Sequence, residues 1–217
     1  MSALPVVIAD YGIGNLLSVA RAIEKSGGQP LISADPAVLA RADRLVLPGV
    51  GAFGDCMRAF LGCGFEEAVS AFVASGRPML GLCVGMQILF DGSEEFGTHR
   101  GLGLIPGEVK AIPRLSANGS VVKTPHIGWT DLAVPEGSGI EVWKDGVLEG
   151  ITPGTAMYFV HSFTAWPHLA GHRYADASYE GQLICAATRK DNITGTQFHP
   201  EKSGPAGLRL LANFLRQ

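Results

Sequence analysis

Cys83 lies in the frame Gly81-Leu82-Cys83-Val84-Gly85, at the end of the apolar run Pro78-Met79-Leu80-Gly81-Leu82. A strand that turns sharply into a helix exposes the residue at the bend, and flanking glycines relieve the crowding of such a turn. The pattern predicts a nucleophile elbow with sulfur in place of a serine oxygen. The start of the following helix would set the sulfur near the positive end of the helix dipole, which favours a thiolate. A single cysteine among apolar residues is otherwise a small buried hydrophobe, so the elbow needs a second feature to decide it.

That feature is Gln197-Phe198-His199-Pro200-Glu201. His199 follows a β-like run and is pinned by Pro200. Glu201 lies two residues on, where an extended backbone puts both side chains on one side. A cysteine nucleophile needs an imidazole to take and return a proton, and the imidazole needs an acceptor to fix its tautomer. Cys83, His199 and Glu201 supply the three roles. By itself a His-Pro-Glu tripeptide at a strand end is more often an ordinary turn, and it is its combination with the cysteine elbow that favours catalysis. A third piece is Leu47-Pro48-Gly49-Val50-Gly51 after a predicted strand. In a parallel sheet this loop would share a rim with the elbow, and the Val50 and Val84 amides could hold an oxyanion. The same glycines also suit a plain β-to-α turn.

Other motifs carry less. Gly12-Ile13-Gly14 has Leu17 where a dinucleotide loop would place its third glycine, and no phosphate-binding P-loop pattern occurs. His126, His161 and His199 are too scattered to read as a metal site, so no metal and no cofactor are expected. Cys56 and Cys63 fall in a helical pattern and Cys185 in a β-run, which makes burial their expected role. The 217 residues are 47% hydrophobic and 17% charged, with a net charge of −3, which disfavours disorder and a nucleic-acid partner. The apolar stretch 71–90 is interrupted by Arg77, Pro78 and Gln87, so no membrane span is expected. No secretory leader is read, and the four cysteines are expected as reduced thiols in a cytoplasm.

The elements that must position these residues follow from hydrophobic periodicity. Val6–Ala9, Leu31–Ser33, Leu45–Leu47 and Met79–Leu82 read as buried strands. Helices are expected over 16–25, over an unbroken 53–74, and after the elbow. Apolar strands between helices argue for a parallel sheet covered on both faces. Beyond Gly92, residues 121–123, 156–163, 174–179, 183–188 and 193–198 read as β. Turn-formers such as Glu180-Gly181 and Asp191-Asn192 predict antiparallel hairpins between them. Leu208, Leu211, Ala212 and Leu215 form a stripe on a closing helix. No linker separates domains, so one domain over 1–217 is expected.

Together, Gly81-Leu82-Cys83-Val84-Gly85-Met86-Gln87 and Gln197-Phe198-His199-Pro200-Glu201 resemble the class I, triad-type glutamine amidotransferases, over nearly the whole chain. Four further segments are similar to the branch of that family that feeds a cyclase in histidine biosynthesis. They are Asp10-Tyr11-Gly12-Ile13-Gly14-Asn15-Leu16, Pro48-Gly49-Val50-Gly51, Pro125-His126-Ile127-Gly128-Trp129 and Tyr158-Phe159-Val160-His161-Ser162. Lys202-Ser203, directly after Glu201, belongs with them. The resemblance implies a flavodoxin-like three-layer α/β fold and a glutaminase that passes ammonia to a separate (β/α)8-barrel cyclase subunit in a heterodimer. It also implies substrate contacts at Gly51 and Gln87. Asn15, Trp129, Tyr158 and Lys202, each beside a motif, are the expected docking residues, with local packing or solvation as the alternative. Thr130 and Phe163 depart from the family pattern, which has Asn and an aromatic hydroxyl there. A glutaminase serving another pathway, a stand-alone γ-glutamyl cysteine hydrolase and a non-catalytic scaffold stay open as alternatives.

Overall fold

The computed structural model describes residues 4–116 and 119–217. The chain begins with β1 (Leu4–Ala9), α1 (Leu16–Lys25), β2 (Gly28–Ser33), α2 (Pro36–Arg41) and β3 (Leu45–Leu47). Next come α3 (Phe53–Gly62), α4 (Phe65–Ala74), β4 (Met79–Leu82) and α5 (Val84–Gln87). Strands β5 (Gly92–Ser93), β6 (His99–Arg100), β7 (Gly107–Ala111), β8 (His126–Ala133), β9 (Ala156–His161) and β10 (Phe163–Pro167) follow. β11 (Arg173–Tyr179), β12 (Gln182–Lys190), β13 (Ile193–Thr196) and α6 (Gly204–Leu215) complete the chain.

The main sheet has nine strands in the order β2-β1-β3-β4-β13-β12-β11-β8-β9. Its first five strands are parallel and the rest antiparallel. The sequence predicts this division, and each half has a local cause. Short apolar runs joined through helices have the crossovers that parallel pairing needs. Glu180-Gly181, both at positive φ, make a two-residue turn between β11 and β12, as hairpin twist requires. Alternate residues of the parallel strands feed two cores. Val6, Ile8, Val46 and Leu80 pack with α1 and α6, whereas Val7, Ala9, Leu45, Leu47 and Met79 pack with α3 and α4. Helices therefore cover both faces, giving three layers. A second sheet, β10-β7-β5-β6, sits beside the first.

Several expectations need correction. The helix expected over 53–74 is two helices, because Gly64 adopts φ 68° and ends the run after Cys63. Residues 121–123 form no strand; Val121 makes one isolated bridge to Leu115. The run 156–163 breaks at Ser162, where the chain leaves the main sheet at β9 and enters the small sheet at β10. The closing helix buries Leu210, Leu211, Phe214 and Leu215, whereas Leu208 and Ala212 are half-buried. β8 was invisible to periodicity because exposed Ile127 and Trp129 alternate with a polar or glycine face. Among the described residues no helix is long and apolar enough to cross a membrane.

Candidate active site

Parallel pairing brings three carboxyl-terminal strand ends together. Leu47 pairs with Gly81 and Thr196 with Leu82, so the loops after β3, β4 and β13 emerge side by side. Cys83 sits at the middle one with φ 53° and ψ −113°, a strained backbone for a residue with a Cβ. Its N–H is tied to the Thr196 carbonyl at 2.7 Å. Its carbonyl accepts from Met86 and Gln87, which starts α5. Glycine is obligatory around this bend. A Cβ at Gly85 would lie 1.9 Å from the Leu47 carbonyl oxygen, and one at Gly49 would lie 2.3 Å from the Gly85 nitrogen. The loop after β3 can thus lie directly on the elbow. The expected helix-dipole effect is small, since α5 is a single turn.

His199 Nδ1 donates to Glu201 Oε1 at 2.8 Å, with both side chains buried. The spacing of two residues does place the pair on one side, although Glu201 lies in a 3₁₀ turn rather than extended chain. The Glu201 contact leaves Nε2 as the free ring nitrogen, without a hydrogen-bond partner among the described residues. Burial opposes charge on this ring. The neighbouring Cys83 and Glu201, which favour the imidazolium, prevail and raise it to about 10.

A cavity of about 200 Å³ joins these groups, lined by Val50, Gly51, Cys83, Gln87, His199 and Glu95 among others. Its size suits a single amino acid. A larger open cleft of about 460 Å³ lies between 91–100 and 108–110 and contains none of Cys83, His199 and Glu201. Glu95 escaped the sequence reading, because nothing local marks it. It is a half-buried carboxylate whose Oε2 accepts from the Phe53 N–H at 2.7 Å, and burial raises its pKa. Gln87 is buried, and its amide nitrogen donates to Phe163 O and Gln197 Oε1, so only its own carbonyl oxygen can face a ligand.

The two amides expected to hold an oxyanion are not both available. Val84 N–H donates to the Gly49 carbonyl at 3.3 Å. Because the Gly49–Val50 peptide is trans, Val50 N–H points the opposite way.

The scan against protein families matches residues 7–217 to glutamine amidotransferase class-I. The chain belongs to the class I glutamine amidotransferases. It is 48% identical over 210 residues to the imidazole glycerol phosphate synthase subunit HisH of Syntrophotalea carbinolica, covering 96% of this chain and 98% of that one. It is 47% identical over 212 residues to subunit HisH 1 of Legionella pneumophila strain Lens, with 97% and 98% covered. Among solved structures, PurLQS from Thermotoga maritima superposes with a TM-score of 0.70 at 17% identity, covering 99% of each chain. A glutamine amidotransferase of the same organism gives 0.57 at 13% identity, with 93% and 77% covered. These two likenesses carry the amidotransferase fold.

On the same rim of this class I amidotransferase, Trp129 and Tyr158 are paired across β8 and β9, their rings edge-on at 6.0 Å. The Lys202 ammonium lies 5.8 Å from the Tyr158 ring centre. Asn15 is exposed at the start of α1, the helix against which the 200–202 turn packs. The departure at Thr130 keeps a hydrogen bond, since its hydroxyl lies 2.7 Å from His126 Nε2. Among the described residues no group of three His, Cys, Asp or Glu side chains is arranged to hold a metal ion.

Proposed function

We propose that this chain is the glutaminase subunit of an imidazole glycerol phosphate synthase. It would work in the cytoplasm as a heterodimer with a (β/α)8-barrel cyclase subunit. The observation that carries the reading is the buried Cys83–His199–Glu201 cluster at one rim of the sheet, in a chain nearly half identical to subunits of that name over nearly its whole length.

The Cys83 thiolate attacks the side-chain carbonyl carbon of glutamine, forming a C–S bond. The tetrahedral intermediate collapses by breaking the C–N bond, and the His199 imidazolium gives its proton to the leaving ammonia. Water, deprotonated by His199, then hydrolyses the γ-glutamyl thioester and frees glutamate and the thiolate. Glu201 orients the ring and stabilises its charge. Glu95 meets the substrate α-ammonium, while Gly51 and the Gln87 carbonyl oxygen contact its other end. Val50 and Val84 hold the oxyanion once the Gly49–Val50 peptide turns over. Asn15, Trp129, Tyr158 and Lys202 meet the cyclase.

The test is glutamate release from glutamine by the complex with its cyclase ligand present. Cys83→Ala should lose at least about 10³-fold in kcat. Residual turnover within tenfold of the unaltered protein removes the nucleophile assignment. Glutamine hydrolysis that never yields a cyclised imidazole points to the stand-alone hydrolase instead.

A further inference from the structure

We propose that Gln197 is a further catalytic residue of this site: its side-chain amide donates a hydrogen bond to the Cys83 sulfur and holds the attacking thiolate. The proposal rests on Cys83 being the nucleophile. Gln197 is fully buried and directly follows β13, whose Thr196 lies opposite Leu82. Its Nε2 is 3.7 Å from Cys83 Sγ.

An amide can be turned end for end, so its direction must be argued from its neighbours. The Phe163 carbonyl can only accept, and Gln87 Nε2 lies 3.1 Å from it. The same nitrogen is 3.0 Å from Gln197 Oε1. A reversed Gln197 would set two NH₂ groups against each other there. Its oxygen must therefore face Gln87, and its nitrogen must face the sulfur.

The Phe163 carbonyl is itself held. His161 Nδ1 donates to it at 2.8 Å, which makes His161 Nε2 the acceptor. His126 Nδ1 donates to that nitrogen at 3.0 Å, and the Thr130 hydroxyl donates to His126 Nε2 at 2.7 Å. Burial keeps both rings neutral, which this single proton arrangement requires. Each bond in the chain from Thr130 to Cys83 uses its own hydrogen, Gln87 Nε2 spending one on Phe163 O and one on Gln197 Oε1, so the amide is preorganised. His126 and His161 act on the sulfur only through this chain and are positioning residues.

The sulfur has a second neighbour, the Val160 carbonyl at 3.9 Å. A carbonyl can receive a hydrogen bond only from the protonated thiol. The amide bond, by contrast, strengthens when its acceptor is ionised. Ionisation therefore releases the sulfur from Val160 and tightens it on Gln197. With α5 only one turn long, this amide joins the His199 ring as a side-chain donor beside the thiolate.

Gln197→Met keeps the volume and deletes the donor. In the complex its kcat for glutamine should fall about tenfold, with KM changed by less than about twofold. Iodoacetamide alkylation of Cys83, located by mass spectrometry, should slow about tenfold at neutral pH and recover in alkaline buffer. Wild-type alkylation at neutral pH, or an equal loss at every pH, overturns the proposal. A measurement on the unaltered chain guards against misfolding of the variant. Alkylating Cys83 should move the ¹⁵N side-chain signal of Gln197 but leave that of Gln182, which donates to Leu115 O. An unmoved Gln197 signal overturns the proposal equally. An active Cys83→Ala protein would instead refute the nucleophile on which it stands.

Discussion

His199 shows how a single titrating group can be read in both directions. Burial alone would lower an imidazole pKa, yet this one is raised to about 10 because the charges of Cys83 and Glu201 outweigh the desolvation. The imidazolium is therefore present below that value and is lost as pH rises through it. If this proton goes to the departing ammonia as proposed, kcat/KM, which reports the free enzyme, should fall along the same limb. Glu201→Gln removes one of the two supporting charges and leaves the desolvation in place. The alkaline limb of kcat/KM should then move down by about one pH unit or more. At about pH 10 and glutamine well below KM, kcat/KM should drop about fivefold or more, whereas at about pH 8 a one-unit move changes it little. Profiles of both proteins with the cyclase present make the comparison; an unchanged alkaline limb would show that Glu201 contributes only packing.

Among the elements, the contact between the loop after β3 and the elbow after β4 is one of the tightest. Gly85→Ala would drive a Cβ to 1.9 Å from Leu47 O, which is backbone and has little freedom to move. The expected cost is about 3 kcal/mol or more, about 6–12 °C in Tm for a chain of this size. Thermal unfolding followed by circular dichroism checks it, and an unchanged Tm would mean that this loop is not bound to the elbow in solution. The two glycines beside Cys83 were legible in the sequence because close approach of backbones leaves glycine alone as an option. Strands β1, β3 and β4 were legible because burial on both faces makes them continuously apolar. β8 and the Ser162 break were not, since one depends on an exposed apolar face and the other on a change of sheet. Glu95 and the sulfur-facing role of Gln197 belong to the same class. Their significance comes from distant partners, at Phe53 and Cys83, that no local pattern encodes.

At the scale of the whole molecule, the residues of the proposed triad lie together while the two amides of the proposed oxyanion hole are not both available. Three successive carbonyls hold the loop after β3: Pro48 O accepts from the Tyr11 hydroxyl, Gly49 O from Val84 N–H, and Val50 O from the Cys56 thiol. Turning over the Gly49–Val50 peptide breaks only the middle bond, and the flanking two remain as anchors. One such bond is worth about 1–3 kcal/mol when its donor is left buried, so the open form should be populated at about 1–10% in the free subunit. Glutamine hydrolysis needs that form, because the tetrahedral oxyanion must be held. Displacement of iodide from iodoacetamide creates no such oxyanion and needs only the sulfur. If the cyclase and its ligand select the turned-over peptide, they should accelerate glutamate release about 10- to 100-fold while changing Cys83 alkylation by less than about twofold. Parallel acceleration of both reactions would place the switch at the sulfur instead, and acceleration of neither would leave the Gly49–Val50 peptide without a regulatory role. The separation of the two rates would follow from the layout of the sheet: Cys83 and His199 follow β4 and β13, whereas the loop with the proposed oxyanion amide at Val50 comes from β3.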